Sequence, residues 1–261
     1  RPAAPGLAGP AAGLLAGLRG ELREHRGDRP YTLLSFASSM DGFIAGVRAL
    51  PGGGSQGRPV ALSGEASMTL THHLRGSVDA ILVGLGTVLA DDPRLDARAP
   101  GAGPSPRPVV LDSELRLPPD CRLLTHRAAG GRAPLLVLCS AEADKGPLAT
   151  RRAALEAAGA VVLRCRADGL GRVCLRDAWL RLHQAGVRSV MVEGGAKVIA
   201  GLLASGAPGL VDRVVVTQSG TILGKGVSWA AAGAARLEQV TSFTLGGDAI
   251  FTGRPSCEPT E

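Results

Sequence analysis

The chain has 261 residues, 45% of them hydrophobic and 20% charged, enough for one large α/β domain or at most two small ones. No apolar run reaches the roughly 18 residues a bilayer span needs, so an integral membrane protein is excluded. Lysine and arginine exceed aspartate and glutamate by 29 to 23, a net charge of +6 that suits nucleic acid or a phosphorylated small ligand. With four Phe, two Trp and one Tyr there is little to stack bases on, and no basic arm is present. A phosphate-bearing metabolite is the expected partner, with neither nucleic acid nor membrane.

Residues 1–28 read as an N-terminal extension, partly helical because leucines 14, 15, 18 and 22 have helical spacing. Glu21, Glu24 and Asp28 argue against a transit peptide, so the cytoplasm is expected; the start at Arg1 rather than Met also admits a processed product. Residues 29–261 read as a single domain. It opens with an apolar strand at 32–37, broken by SerMetAspGly at 39–42, and PGGGSQG at 51–57 has the composition of a surface loop. A helix is expected from an N-cap at Ser63 to Arg75. Nearly continuous apolar runs at 78–84, 107–112, 134–140, 160–164, 187–193 and 211–218 have the character of strands buried on both faces. Helical stretches fall at 147–158, 174–185 and 195–205. The alternation predicts a doubly wound, mostly parallel sheet with helices on both faces, and the last stretch predicts an antiparallel edge about Gly246 and Gly247.

In such a sheet the ligand lies beyond the carboxyl ends of the strands, which selects four segments. Gly84-Leu-Gly-Thr87 would let the backbone approach a pyrophosphate with Thr87 donating to it, or is only a tight strand-to-helix turn, since Leu89 stands where a third glycine belongs. Residues 89–98 combine Asp91, which could orient or protonate a reacting sugar, with Arg98, which could fork a phosphate; the alternative is an Asx turn with surface charges. Glu193 ends a strand, and Gly194 and Gly195 lead into a helix, an order that suits an anion on unpaired amides or a turn that merely needs glycine. Ser113, with Arg107 and Arg116 close in sequence, suits a 2′-phosphate and so NADPH over NADH, unless the segment is only a solvated loop.

Other chemistries find no frame. His72 and His73 lack partners at metal spacing, so no metal is expected, and neither GxSxG nor the zinc-deaminase signature occurs. Lys225, between two glycines, lacks a P-loop context. Cysteines at 121, 139, 165, 174 and 257 are odd in number and contain no CxxC, as expected of reduced thiols.

Taken together, RPYTLLSFASSMDGFIA, LSGEASMTLTHHLRGSVDAILVGLGTVLADDPRLDAR, RPVVLDSELRLPP, VMVEGGAKVIAGLL and GLVDRVVVTQSGTILG resemble, in order, the reductase domain of riboflavin biosynthesis. That domain occurs in the bacterial bifunctional deaminase/reductase and alone in fungi and archaea. The resemblance implies a dihydrofolate-reductase-like fold, a homodimer, and NADPH-dependent reduction of a ribosylaminopyrimidine phosphate to the ribitylamino product, without the deaminase. It implies that Ser38, Gly84, Thr87, Asp91, Ser113, Gly194, Gly195, Ala196, Lys197, Val198, Ile199, Ala200 and Gly201 meet the cofactor. Arg75, Leu95, Arg98 and Glu193 would meet the substrate, the arginines around its 5′-phosphate, with Asp91 and Glu193 catalytic. Two departures stand out. Ser35 occupies the place of a lysine in bacterial bifunctional versions, which points to the diamino rather than the deaminated pyrimidine; Pro59 and Ala61 replace a serine and a bulky side chain that line the site in many relatives. A reductase of another pterin- or pyrimidine-like compound and a non-catalytic nucleotide-binding protein are the alternatives.

Overall fold

A computed structural model describes residues 7–49, 55–58, 60–128, 133–140, 146–203, 209–229 and 235–256. In chain order the elements are α1 (Gly9–Glu24), β1 (Tyr31–Ser38), β2 (Phe43–Ala49), β3 (Ser55–Arg58), α2 (Glu65–Arg75), β4 (Ala80–Gly84), α3 (Leu85–Asp91), β5 (Arg107–Leu111), α4 (Arg122–Ala128) and β6 (Leu136–Ser140). They continue with α5 (Pro147–Ala157), β7 (Val161–Cys165), α6 (Leu175–Gln184), β8 (Ser189–Gly194), α7 (Ala196–Leu203), β9 (Arg213–Gln218), β10 (Val227–Ser228), β11 (Leu237–Leu245) and β12 (Asp248–Pro255).

Nine strands form one sheet in the order β11-β12-β9-β1-β8-β4-β5-β6-β7, parallel from β9 to β7, with β12 and β11 added antiparallel. The doubly wound architecture and its antiparallel edge are thus as the apolar runs predict. Side-chain alternation sorts the helices. Leu34, Leu82 and Val192 face α6 and α7, whereas Leu33 and Met191 face α1 and α2, and Ile81 and Val83 face α3 to α5. Both faces being covered explains why β4 and β6 are apolar at nearly every position and buried throughout. Trp179 of α6 is completely enclosed and donates Nε1–H to Thr32 Oγ1 at 2.7 Å, which satisfies the one polar atom its burial would strand.

The leucine pattern of the N-terminal extension is realised in α1, whose Leu15 and Leu18 are buried in one cluster with Leu33, Leu70, Leu74 and Met191. Burying each such leucine contributes about 2 kcal/mol. Glu21 adds a polar clamp, accepting hydrogen bonds from Tyr31 and Arg213 and from Arg254 at 3.0 Å, and so joins α1 to β1, β9 and β12.

Two expectations need correction. Ser55, Gln56 and Gly57 lie in strand β3, paired with β2, because register with a neighbouring strand outweighs loop-like composition; residues 51–54 lie outside the described residues. The N-cap of α2 is Gly64 rather than Ser63, its amide donating to Asp248 Oδ2 at 2.8 Å, a partner supplied by β12. Short helices α3 and α4 and the small β10-β2-β3 sheet had no periodicity long enough to reveal them. Cys121, Cys139 and Cys165 are buried thiols, and burial pushes Cys139 up to about 11 and Cys165 up to about 12; Cys257 lies outside the described residues.

Candidate active site

Strand β8 is inserted late in the chain between β1 and β4, so the carboxyl ends of three neighbouring strands bring together segments far apart in sequence. Ser38, Gly84 and Gly194 are the last residues of β1, β4 and β8. A crevice at such a crossover is where open α/β sheets hold ligands.

Gly84 passes directly into α3, so the GlyLeuGlyThr segment is a tight strand-to-helix turn with Gly86 and Thr87 inside the helix. A side chain at Gly84 would stand 3.0 Å from Val198 Cγ2. Gly194 and Gly195 have φ of 127° and 76°, so the turn from β8 into α7 needs glycine, and a Cβ on Gly195 would lie 3.4 Å from Thr87 Oγ1. The first and third candidate segments therefore face each other across a narrow cradle. Val198 and Ile199 donate back to Gly195 O, and the amides of Ala196 and Lys197, in the first turn, have no acceptor within the helix. Ile199 is fully buried in the core, so only backbone could serve a ligand there; Ala200 and Gly201 continue the helix away from its start.

Asp91 is the last residue of α3, exposed at its tip, yet loss of surrounding water holds its carboxyl above the usual range. After it, Asp92 (φ 38°) and Leu95 (φ 55°) adopt left-handed conformations uncommon outside glycine. Asp92 accepts Arg122 N–H at 2.8 Å from the start of α4, Leu95 is buried among α3 to α5, and Arg98 is exposed.

Arg75 and Glu193 meet directly. The guanidinium donates Nε to Oε1 and Nη2 to Oε2, each at 2.6 Å, and Nη1 to the Asp96 carbonyl at 2.9 Å. Burial alone would lower the Arg75 pKa, and the facing Glu193 carboxylate more than offsets it. Ser35 lies buried on the same face of β1 as Glu193 on β8, since Leu34 pairs with Val192 and the next position on each strand points to the α2 side. Ala61 is exposed, and Pro59 lies outside the described residues.

Ser113 follows β5, and its hydroxyl accepts Val173 N–H at 3.0 Å while its carbonyl accepts from Ser140. Of the two arginines near it in sequence, Arg107 begins β5 at the opposite end of the strand, about 13 Å away. Arg116 is exposed and paired with Glu114 at 3.2 Å. The fold instead brings Arg151 from α5, donating to Glu114 O at 3.1 Å, a cation that no local spacing reveals. The sequence also gave no weight to Asp41. Its carboxylate accepts Ser39 Oγ–H (2.6 Å) and the amides of Leu223 (3.1 Å) and Gly224 (2.7 Å), tying the turn after Ser38 to the chain after β9. A serine and an aspartate two apart beside a glycine were the available signal.

Residues 30–251 match the RibD C-terminal domain family, which is 222 positions of 261. The chain belongs to the RibD C-terminal domain family. It is 36% identical to the 2,5-diamino-6-ribosylamino-4(3H)-pyrimidinone 5′-phosphate reductase of Methanothermobacter thermautotrophicus, over 85% of this chain and 96% of that protein. It is 31% identical to the reductase of the same name from Kluyveromyces marxianus, over 90% of each. The Aquifex aeolicus riboflavin biosynthesis protein RibD is 28% identical and is matched over 49% of its length. Among solved structures, the Saccharomyces cerevisiae riboflavin biosynthesis reductase Rib7 superposes with a TM-score of 0.70 at 25% identity, covering 89% of this chain and 92% of that one. This RibD C-terminal domain protein is accordingly a reductase of the riboflavin-biosynthesis type. Among its described residues no helix is long and apolar enough to cross a membrane.

Proposed function

We propose that the protein uses NADPH to reduce 2,5-diamino-6-ribosylamino-4(3H)-pyrimidinone 5′-phosphate to its ribitylamino product, working as a homodimer. The observation that carries this is the juxtaposition of the glycine cradle, where Gly195 closes on Thr87, with the loop bearing Asp91 and Arg98, which is tied through Asp96 to the Arg75–Glu193 pair. The cradle suits a dinucleotide phosphate because the positive-φ turn at Gly194 and Gly195 leads into α7, whose first amides have no acceptor within the helix. The amides at the start of α7, Thr87, Ser38 and Ser113 would hold it. When bound, the nicotinamide supplies the hydride.

What the chain's own residues contribute is positioning and proton transfer. Reduction at the first sugar carbon requires the ribose ring to open to an imine: the exocyclic N–H proton leaves as one reaches the ring oxygen, and after hydride addition a proton returns to that nitrogen. Asp91, its carboxyl held above the usual range by desolvation, is suited to carry a proton there. Glu193, oriented by Arg75, presents a fixed carboxylate to the amino groups of the pyrimidine. Ser35 beside it is uncharged, which favours the diamino ring over a uracil whose extra carbonyl a lysine would meet. Arg98, exposed at the end of the Asp91 loop, would meet the 5′-phosphate.

The test is NADPH oxidation followed by absorbance, with the diamino substrate and its deaminated counterpart offered separately. Preferential turnover of the diamino compound is expected. NADPH binding without turnover of either would reduce the protein to a nucleotide binder. An Asp91→Asn variant that binds NADPH and turns over at the full rate would remove Asp91 from the mechanism. Light scattering that finds only monomer would remove the dimer.

A further inference from the structure

The loop from Asp92 to Arg98 is held in a conformation it would not adopt alone, with two left-handed non-glycine residues. Its first half is secured by α4 and by burial of Leu95. Its second half is secured from α2 by His72, which is 8% exposed and otherwise plays no part in the site. His72 Nδ1 lies 3.0 Å from the Asp96 carbonyl and 3.2 Å from the amide of Arg98. One nitrogen cannot serve both. Protonated, Nδ1 donates to Asp96 O; unprotonated, it accepts from Arg98 N–H. Asp96 O already receives Arg75 Nη1 at 2.9 Å, so the group with more to lose is the Arg98 amide.

We propose that His72 is a positioning residue whose unprotonated Nδ1 fixes the backbone of Arg98 and thereby aims the Arg98 guanidinium at the substrate phosphate. The inference rests on the reading of Arg98 as the phosphate-binding residue. The charged groups facing His72 are Arg75 on its own helix, Arg98 on the loop and Glu193 on β8; Asp96 meets it through its carbonyl, while the Asp96 carboxylate lies 3.7 Å from His126 of α4. Burial, and then the Arg75 and Arg98 cations, lower the His72 pKa and favour the neutral ring, whose Nε2–H tautomer is the one that leaves Nδ1 free to accept from Arg98.

The experiment compares His72→Leu, which removes the acceptor, with His72→Asn, which keeps one at the same distance from the backbone. Loss of this partly buried hydrogen bond predicts that KM for the phosphorylated substrate rises about tenfold in His72→Leu, while His72→Asn stays within about threefold of wild type. NADPH affinity and kcat should move by less than about twofold in both, and the KM effect should vanish for the dephosphorylated substrate. Lowering the pH through the His72 pKa should raise KM in the wild type more than in His72→Asn. An independent arm reads amide hydrogen exchange at Arg98, which should be faster in His72→Leu with no substrate present. If the wild type reduces neither candidate substrate, the functional reading fails, and the exchange arm still decides whether His72 holds Arg98. Unchanged exchange overturns the proposal, as does faster exchange with unchanged KM, or an equal KM rise in both variants. Should His72→Leu not fold, His72→Gln, which displaces the acceptor by one bond, takes its place.

Discussion

Arg75 and Glu193, 118 residues apart in the chain, form a two-pronged ion pair that joins α2 to β8, with side chains only 11% and 14% exposed. Removing one partner leaves the other charge in a poorly solvated place. Arg75→Ala is expected to lower the unfolding free energy by about 3 kcal/mol, the usual cost of breaking such a pair from one side. Arg75→Lys should recover only part, because an ammonium cannot fork both carboxylate oxygens. Urea denaturation measures this, and a cost within error of zero for Arg75→Ala would mean the pair does not persist in solution.

The close approach of Gly195 to Thr87 makes a second expectation. Gly195→Ala must place a Cβ on a residue at φ 76°, 3.4 Å from Thr87 Oγ1, at a strain of about 1–2 kcal/mol, and should weaken NADPH binding as the cradle fills. Gly86→Ala is the stability control: it lies inside α3 with nothing within 4 Å, and should raise stability by about 0.5–1 kcal/mol. Calorimetric titration with NADPH and thermal unfolding separate the two; equal behaviour of the two variants would count against the cradle.

Asp91 links pH to turnover. Its carboxyl is raised by desolvation, so the protonated form survives to higher pH than an ordinary aspartate. If it delivers a proton, kcat should fall as pH climbs through its pKa, and that limb should be missing from the residual activity of Asp91→Asn. The folded state disfavours the carboxylate, so stability declines as pH rises through that window, and Asp91→Asn should not be less stable at neutral pH. A variant with an unaltered pH profile would assign the limb to another group.

Glu21 governs the acid side of stability. Burial would raise its pKa, but hydrogen bonds from Arg213, Tyr31 and Arg254 hold it at about 2, against an ordinary 4.5. A depressed carboxylate stabilises fully above its unfolded value, and that contribution is lost as pH falls from about 4.5 towards 2. Glu21→Gln should flatten the loss of stability across this interval, as followed by denaturant midpoints against pH. A slope identical to wild type would show that α1 is held by its leucines alone.

Much of this architecture was legible because it rests on local pattern. The apolar runs that became β4, β6 and β8 are continuous since both faces of each strand are covered, and the spacing of Leu15 and Leu18 defines the buried side of α1. Glycines at 194 and 195 announced a turn of positive φ, and the Asp91 to Arg98 segment announced charge on one loop. Local pattern misled where a distant partner decided. Ser63 has the side chain of a cap, but Asp248 of β12 meets Gly64 instead; residues 55–57 have a loop's composition, but β2 recruits them. Arg107 lies six residues from Ser113, yet the extended β5 puts the two at opposite ends of the strand.

The central apolar strands and the longer helices were readable along the chain, as was a set of charged and glycine-rich segments suited to a phosphorylated ligand, since those depend on periodicity and on local side-chain chemistry. Only the tertiary structure decided that Glu193 would be held by Arg75, that Gly195 would face Thr87, and that His72 would reach the Arg98 backbone. Those pairings follow from inserting β8 between β1 and β4, and strand order is set by three-dimensional packing among distant residues, which no local spacing encodes.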